Sequence, residues 1–138
     1  MALAAAVGSR LKGGEVIELT SDLGGGKTAF VRGLAKGMGS TDAVHSPSFT
    51  LSNEYRSDSL TLHHFDFYRL AEPGIMQTEL REVIEDPQAV VAVEWADIVE
   101  DVLPAKRLKI SIQPTGEDSR EFICTVPTEM KYLFPINT

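Results

Sequence analysis

The stretch Ser21-Asp22-Leu23-Gly24-Gly25-Gly26-Lys27-Thr28 decides how this chain can fold. It follows an apolar run at residues 16–20 and precedes residues 29–38, where apolar side chains recur at helical spacing. The order is therefore strand, glycine-rich loop, helix, with Gly-Lys-Thr at the turn. A phosphate-binding loop, or P-loop, occurs in this context.

The last five residues of the stretch carry the physical argument for phosphate binding. Three consecutive glycines, Gly24, Gly25 and Gly26, allow successive backbone N–H groups to point at one anion. The helix that follows adds the positive end of its dipole. Lys27 can reach the β- and γ-phosphates, and the Thr28 hydroxyl can join a magnesium shell. The alternative is an ordinary glycine-rich turn with a solvated lysine, which the flanking strand and helix disfavour.

Ser21 is the one departure from the P-loop pattern, because the pattern has glycine at its first position. If the backbone needed a positive φ there, serine would store strain. Ser21 therefore affects the expected affinity of the loop for phosphate more than its identification as a P-loop.

Length and composition limit the class of protein. The chain has 138 residues, of which 43% are hydrophobic and 24% charged, so we expect one globular domain over residues 1–138. A net charge of −7 argues against a protein that binds nucleic acid without a partner protein. The single cysteine, Cys124, excludes internal disulfides and suits a reducing compartment. Residues 1–7 are apolar but lack a basic region and are too short to span a membrane, so we expect a cytoplasmic protein.

Hydrophobic periodicity predicts the remaining elements. The predicted set is a helix ending near residue 12, a strand at 16–20, a helix at 27–38, an antiparallel hairpin of 49–55 with 60–70, a helix to residue 84, a buried central strand at 89–93, and a closing hairpin of 108–112 with 121–126. The fold class is α/β, a P-loop NTPase-like three-layer sandwich with a mixed, mainly parallel central sheet.

Two acidic residues are candidates for nucleotide hydrolysis. Glu94 ends the buried strand, where an acid that holds magnesium (the Walker B position) occurs; the alternative is a surface acid at a strand end. Asp66 lies within a strand, where acids are disfavoured, so it needs a partner such as metal-bound water, Lys27 or Arg69. His64 lies on the same strand face and could hydrogen-bond Asp66.

Other polar residues leave alternatives open. Trp95 could lie over a nucleotide site or pack in a core. A His64-x-Asp66 pair suggests a transition metal, but no further Cys or His is spaced to complete a tetrahedral set. Ser48 and Thr50 could form a switch segment that senses the γ-phosphate, or could satisfy the local backbone.

Taken in order, these pieces resemble the TsaE (YjeE) family, small bacterial P-loop ATPases of tRNA threonylcarbamoyladenosine biosynthesis. The matching stretches are Asp22-Leu23-Gly24-Gly25-Gly26-Lys27-Thr28, Phe30-Val31-Arg32-Gly33-Leu34, Val44-His45-Ser46-Pro47-Ser48-Phe49-Thr50-Leu51, His64-Phe65-Asp66-Phe67-Tyr68-Arg69-Leu70 and Glu94-Trp95. The Ser-Pro-x-Phe-Thr-Leu and His-x-Asp-x-Tyr-Arg-Leu stretches are far more specific than the P-loop.

The resemblance implies a set of site residues. The residues implied to hold ATP are Leu23, Gly24, Gly25, Gly26, Lys27, Thr28, Ala29 and Trp95. Thr28 and Glu94 are implied to bind Mg²⁺. Asp66, Glu94 and Lys27 are implied to act in hydrolysis. Arg120, which lies beyond the matching stretches, is a further candidate contact to the nucleotide.

The resemblance also implies partners. Family members work with TsaD and TsaB, and tRNA is met only through that complex, which agrees with the acidic charge. Their ATP hydrolysis is thought to reset the complex without transferring the carbamoyl group. Besides Ser21, two departures stand out: Ala29 replaces a second threonine that often follows Gly-Lys-Thr, and the N-terminus is short.

Three functions are thus open on the sequence. The leading hypothesis is an ATP-hydrolysing accessory subunit of the tRNA modification machinery. The second is a small-molecule kinase, against which the lack of an arginine-rich lid counts. The third is a nucleotide-gated binding module with little hydrolysis, which Ser21 favours.

Overall fold

The structure is a computed structural model, and it describes residues 2–21, 26–42, 52–67, 74–116 and 120–134. The described helices are α1 (Ala2–Ser9), α2 (Lys27–Met38) and α3 (Gly74–Ile84), with short 3₁₀ helices at Ala96–Val99 and Thr128–Leu133. The described strands are β1 (Val16–Ser21), β2 (Ser52–Arg56), β3 (Thr61–Asp66), β4 (Ala89–Glu94), β5 (Leu108–Pro114) and β6 (Arg120–Thr125).

The six strands form one sheet in the order β2-β3-β4-β1-β5-β6. The four central strands, β3, β4, β1 and β5, are mutually parallel, whereas β2 and β6 pair antiparallel at the two edges. This arrangement confirms the predicted mixed, mainly parallel sheet and both predicted hairpins. The first hairpin pairs β2 with β3, and the predicted strand residues 49–51 and 68–70 lie outside the described residues.

Two hydrophobic clusters cover the two faces of the sheet. Successive side chains of β1 and β4 point to opposite faces of the sheet. Leu19 and Ala92 belong to the first cluster, and Val91 and Val93 belong to the second. The first cluster also contains side chains of α1 and α2, and the second contains those of α3 and of the 3₁₀ helix at Ala96–Val99. The result is helix, sheet, helix, which is the predicted three-layer sandwich.

Helices α1 and α2 approach each other closely because glycines lie at their contact. A Cβ added at Gly8 would stand 2.3 Å from the carbonyl oxygen of Leu34. A Cβ added at Gly37 would stand 2.2 Å from the carbonyl oxygen of Ala5. Backbone meets backbone at both places, so neither position has room for a side chain. No helix of the described residues has both the length and the apolar character needed to cross a membrane.

The turn after α1 shows why that helix ends before residue 12. The carboxylate of Glu15 accepts hydrogen bonds from the backbone N–H groups of Lys12 and Gly13, each at 2.7 Å. These N–H groups are consequently drawn away from helical partners, and Gly13 continues the chain at φ 106°. The hydroxyl of Tyr132 donates to the same carboxylate, which ties the C-terminal 3₁₀ helix to the start of β1.

The surface of α3 and the position of Cys124 are both ordinary for a globular domain. The acidic side chains of α3 and the turn after it are exposed and form a solvated face: Glu79, Glu82, Glu85 and Asp86. Cys124 packs against the first cluster from the edge strand β6 and is half-buried. Burial raises the pKa of its thiol, which is typical of a packing cysteine rather than a reactive one.

Candidate functional site

The strand and helix that frame the glycine-rich loop meet at the carboxyl edge of the sheet. β1 ends at Ser21 and α2 begins at Lys27. Ser21 pairs with Ile112 as an extended strand residue and is not among the positive-φ residues, so the strain considered for serine is absent. The predicted loop residues Leu23, Gly24 and Gly25 lie outside the described residues.

At the start of α2, no side chain among the described residues caps the backbone N–H groups. Gly26 is the N-cap residue, and its carbonyl accepts from the N–H of Phe30 at 2.8 Å. No acidic side chain lies in the first turn of α2. An uncapped helix start with its positive dipole end suits a negative ligand. Half-buried Thr28 and Ala29 follow Lys27 in this turn.

Lys27 is buried against the end of β4. Its ammonium lies 3.4 Å from Oε1 of Glu94, and the two residues are 7% and 4% exposed. The same Nζ lies 5.0 Å from the centroid of the Trp95 ring. The alternative reading of Glu94, a surface acid at a strand end, is therefore wrong, because its side chain is buried and paired.

Glu94 is held from a second side by histidine. The strand β3 lies next to β4, and Nε2 of His64 is hydrogen-bonded to Oε2 of Glu94. Asp66 was the predicted partner of His64, and the structure gives that role to Glu94 instead. His64 is completely buried, and its Nδ1 has no hydrogen-bond partner among the described residues.

Asp66 ends β3 directly beside Glu94. The two residues are register partners in neighbouring parallel strands, which lie about 4.8 Å apart in a sheet. Residues paired in this way point to the same face, so both carboxylates belong to the side of the sheet that carries α2. The N–H of Phe67 donates to the carbonyl of Glu94 at 3.1 Å and extends the pairing beyond β3. Asp66 itself is half-buried.

Trp95 lies beside the site rather than in a core. Its side chain is 37% exposed, and its φ of 57° is the one positive value at a non-glycine residue in the described ranges. A bulky residue in this region is strained, and such strain often marks functional sites. A pocket of about 140 Å³ opens here, lined by Glu18, Leu19, Thr20, Ser21, Lys27, Trp95 and Ala96.

A buried arginine fixes one side of this pocket, and the sequence reading missed it. Arg107 is 5% exposed; its Nε donates to Glu18 and its Nη2 to Glu100, both at 2.7 Å. Burial alone would lower the pKa of Arg107, but these carboxylates raise it above its ordinary value. An acid inside the strand sequence Val-Ile-Glu-Leu was the available signal, since acids are disfavoured there.

The other predicted polar residues fall in different places. Nε of Arg120 lies 3.6 Å from where a Cβ at Gly26 would stand, so this arginine is beside the start of α2. Ser48, Thr50 and Arg69 lie outside the described residues. Among the side chains that the structure describes, no group of three or more His, Cys, Asp or Glu is placed to hold a metal ion.

Comparisons with known proteins give one consistent family. The family model for "Threonylcarbamoyl adenosine biosynthesis protein TsaE" matches residues 1–122. The tRNA threonylcarbamoyladenosine biosynthesis protein TsaE of Bacillus subtilis is 43% identical over 114 residues, which cover 83% of this chain and 71% of that protein. The protein of the same name from Nostoc sp. is 37% identical over 128 residues, covering 87% of this chain and 78% of the relative.

A solved structure agrees with the sequence relatives. The crystal structure of Bacillus subtilis YdiB superimposes with a TM-score of 0.75 at 36% sequence identity. The match covers 96% of this chain and 82% of that one. At this identity the shared fold reflects relatedness and is consistent with the P-loop NTPase-like architecture.

Proposed function

Because the chain belongs to the TsaE family of tRNA threonylcarbamoyladenosine biosynthesis proteins, we propose that it is a Mg²⁺-dependent ATPase subunit of that machinery. The observation that carries the proposal is the buried contact between Lys27 and Glu94 at the start of α2. It joins the lysine of the P-loop to the acid of the Walker B position, which lie 67 residues apart in the chain.

ATP would be held by its phosphates at the beginning of α2. The uncapped N–H groups of the first turn, the ammonium of Lys27 and the predicted loop residues 23–26 supply donors and positive charge. Arg120 lies close enough to Gly26 to add a second cation. Trp95, partly exposed beside Lys27, can contact the nucleotide through its ring.

The donor set fits magnesium. Mg²⁺ prefers oxygen ligands and is usually held by one or two carboxylates together with substrate phosphates. The Glu94 carboxylate and the Thr28 hydroxyl are oxygen donors at the end of β4 and the start of α2. When bound there, the ion would supply neutralisation of charge on the phosphates.

Asp66 and Lys27 would complete the hydrolytic site. Asp66 lies beside Glu94 at the same strand edge, where a carboxylate can accept a proton from water and orient it. Lys27 can turn from Glu94 toward phosphate oxygens, because its ammonium sits on a flexible four-carbon stem and has three N–H donors. This movement would bring the ammonium next to the phosphate oxygens. It would also leave Oε1 of Glu94 available to Mg²⁺.

We further propose that the protein works in the cytoplasm with TsaD- and TsaB-type proteins and meets tRNA only through them. The net charge of −7 supports this division of labour, since tRNA phosphates would repel the isolated subunit.

Steady-state ATP hydrolysis, measured on the purified protein alone and with purified TsaD and TsaB, tests the proposal. We expect turnover that the partners stimulate and that Lys27→Ala abolishes. Absence of stimulated hydrolysis, or unchanged activity in Lys27→Ala, would contradict it. Equal single-turnover rates for the natural protein and an Asp66→Ala, Glu94→Ala double variant would instead indicate a nucleotide-gated binding module.

A further inference from the structure

His64 is a completely buried polar side chain, and the proposed function assigns it no role. It lies in β3 between Asn53 of β2 and Ala92 of β4 and faces the first hydrophobic cluster, to which its strand neighbour Leu62 belongs. Burying a polar ring among apolar side chains is unfavourable unless it is hydrogen-bonded. Within the described residues the ring has one hydrogen bond, which joins its Nε2 to the carboxylate of Glu94.

The geometry divides the two oxygens of Glu94 between two partners. Because a carboxylate only accepts hydrogen bonds from a ring N–H, the ring proton that matters lies on Nε2 and is donated to Oε2. The other oxygen, Oε1, faces the ammonium of Lys27. One partner is in a rigid central strand and the other is on a long, flexible side chain.

This division decides which contact changes when a nucleotide arrives. Lys27 has four methylene groups and can turn toward phosphates, whereas the His64 ring is fixed by its burial in the sheet. A glutamate side chain has three rotatable bonds, so the carboxylate would lose its orientation once Lys27 leaves, unless Oε2 stays held.

We propose that His64 is a positioning residue: it retains Oε2 of Glu94 so that Oε1 is the oxygen presented to the incoming magnesium nucleotide. The inference rests on the proposed function, because it concerns how the same carboxylate is oriented. It assigns to His64 a role in Mg²⁺-dependent binding and in turnover, without direct contact to the ligand.

Two variants separate this role from packing. In His64→Gln the side-chain amide can place an N–H donor near the former Nε2, whereas His64→Leu fills similar space with no donor. Trp95 is the single tryptophan of the chain and lies beside Lys27, so its fluorescence reports nucleotide binding. The dissociation constant of ADP is measured with and without Mg²⁺ for each protein, together with kcat for ATP.

We expect His64→Leu to bind ADP without Mg²⁺ as the natural protein does. The additional affinity that Mg²⁺ confers, and kcat, should both fall about 10- to 100-fold, the range found when residues that orient metal ligands are removed. His64→Gln should recover most of both quantities. A purely structural role would lower the thermal midpoint and would weaken ADP binding equally with and without Mg²⁺.

Equal Mg²⁺ dependence in the natural protein and His64→Leu would overturn the role of His64 alone. No fluorescence response of the natural protein to ADP or MgADP would overturn the proposed function instead. If His64→Leu does not fold, NMR of the ¹⁵N-labelled natural protein takes its place. The Nε2–H signal of His64 should be protected from exchange and should persist in MgADP, and its loss on adding MgADP would contradict the proposal.

Discussion

The ammonium of Lys27 and the carboxylate of Glu94 lie 3.4 Å apart at the carboxyl edge of the sheet. Both side chains are almost entirely excluded from solvent, at 9% and 5% exposure. A buried charge needs a partner, so each of these residues satisfies the other. The pair also means that the lysine and the acid act as one unit, since a ligand that takes the lysine changes the surroundings of the acid.

Replacing Glu94 by glutamine should separate hydrolysis from binding. The amide keeps the shape of the side chain but loses the charge that would bind Mg²⁺, so we expect ATP turnover to fall at least about 100-fold. Affinity for ADP without Mg²⁺ should be unchanged or higher, because Lys27 is released for the phosphates. Turnover and ADP titration measure the two effects. Glu85→Gln, an exposed acid of the turn after α3, is the matched control and should change neither.

The contact between Lys27 and Trp95 predicts a spectroscopic signal. The ammonium lies 5.0 Å from the ring centroid, so its departure toward phosphates should alter the emission of the single tryptophan. Titration with ADP should therefore change Trp95 fluorescence. Lys27→Met, which keeps the apolar stem, should abolish the change, whereas Lys36→Met on the exposed side of α2 should preserve it. An identical response from Lys27→Met would contradict the contact.

Gly37→Ala should destabilise the protein although alanine favours helices. The new Cβ would stand 2.2 Å from the carbonyl oxygen of Ala5, and backbone must move to admit it. Overpacking of this kind destabilises by about 1–3 kcal/mol, which exceeds the gain of about 0.8–1 kcal/mol from helix propensity. Urea unfolding monitored by circular dichroism measures the net change in the free energy of unfolding. Lys36→Ala, the exposed neighbour, should be nearly neutral, and an unchanged midpoint for Gly37→Ala would refute close packing of α1 on α2.

Arg107→Met should destabilise the fold because it leaves the Glu18 carboxylate without its cation. The Glu18 side chain is 13% exposed, and leaving a largely buried acceptor without its partner reduces the free energy of unfolding by about 1–3 kcal/mol. Adding Glu18→Gln should recover part of the lost free energy of unfolding, because the unpaired charge is then removed. Lys106→Met breaks an adjacent, exposed pair with Glu129, which solvent screens, and should leave stability nearly unchanged. Equal effects of the two single substitutions would disprove the buried network.

His63 predicts how stability depends on pH. Burial lowers the pKa of His63 below 6.5, and the nearby Glu54 carboxylate offsets this only in part. The unfolded chain therefore binds a proton more readily than the native protein, so stability falls as pH drops through 6.5. Urea midpoints at pH 7.5 and about pH 5.5 measure the slope. His63→Gln should flatten it, and an unaltered slope would show that other groups cause the pH dependence.

Much of the fold could be predicted from sequence because its signals are local. α2 has the predicted bounds, Lys27–Met38, since apolar spacing starts after Gly-Lys-Thr and Gly39 ends the helix in a left-handed conformation. β4 is one residue longer than predicted, because its uninterrupted apolar run ends in Glu94. α1 ends earlier than predicted, at Ser9, because the Glu15 carboxylate captures the N–H groups that would have continued it.

The sequence by itself determined that a lysine, a threonine and two acids follow or end strands of one parallel sheet. Those features depend on neighbours within a few residues, so periodicity and turn chemistry reveal them. Only the tertiary structure decided which of them touch. β3 lies beside β4, and so His64 meets Glu94, 30 residues away, rather than Asp66 on its own strand. A contact of that kind depends on strand order, which no local pattern encodes.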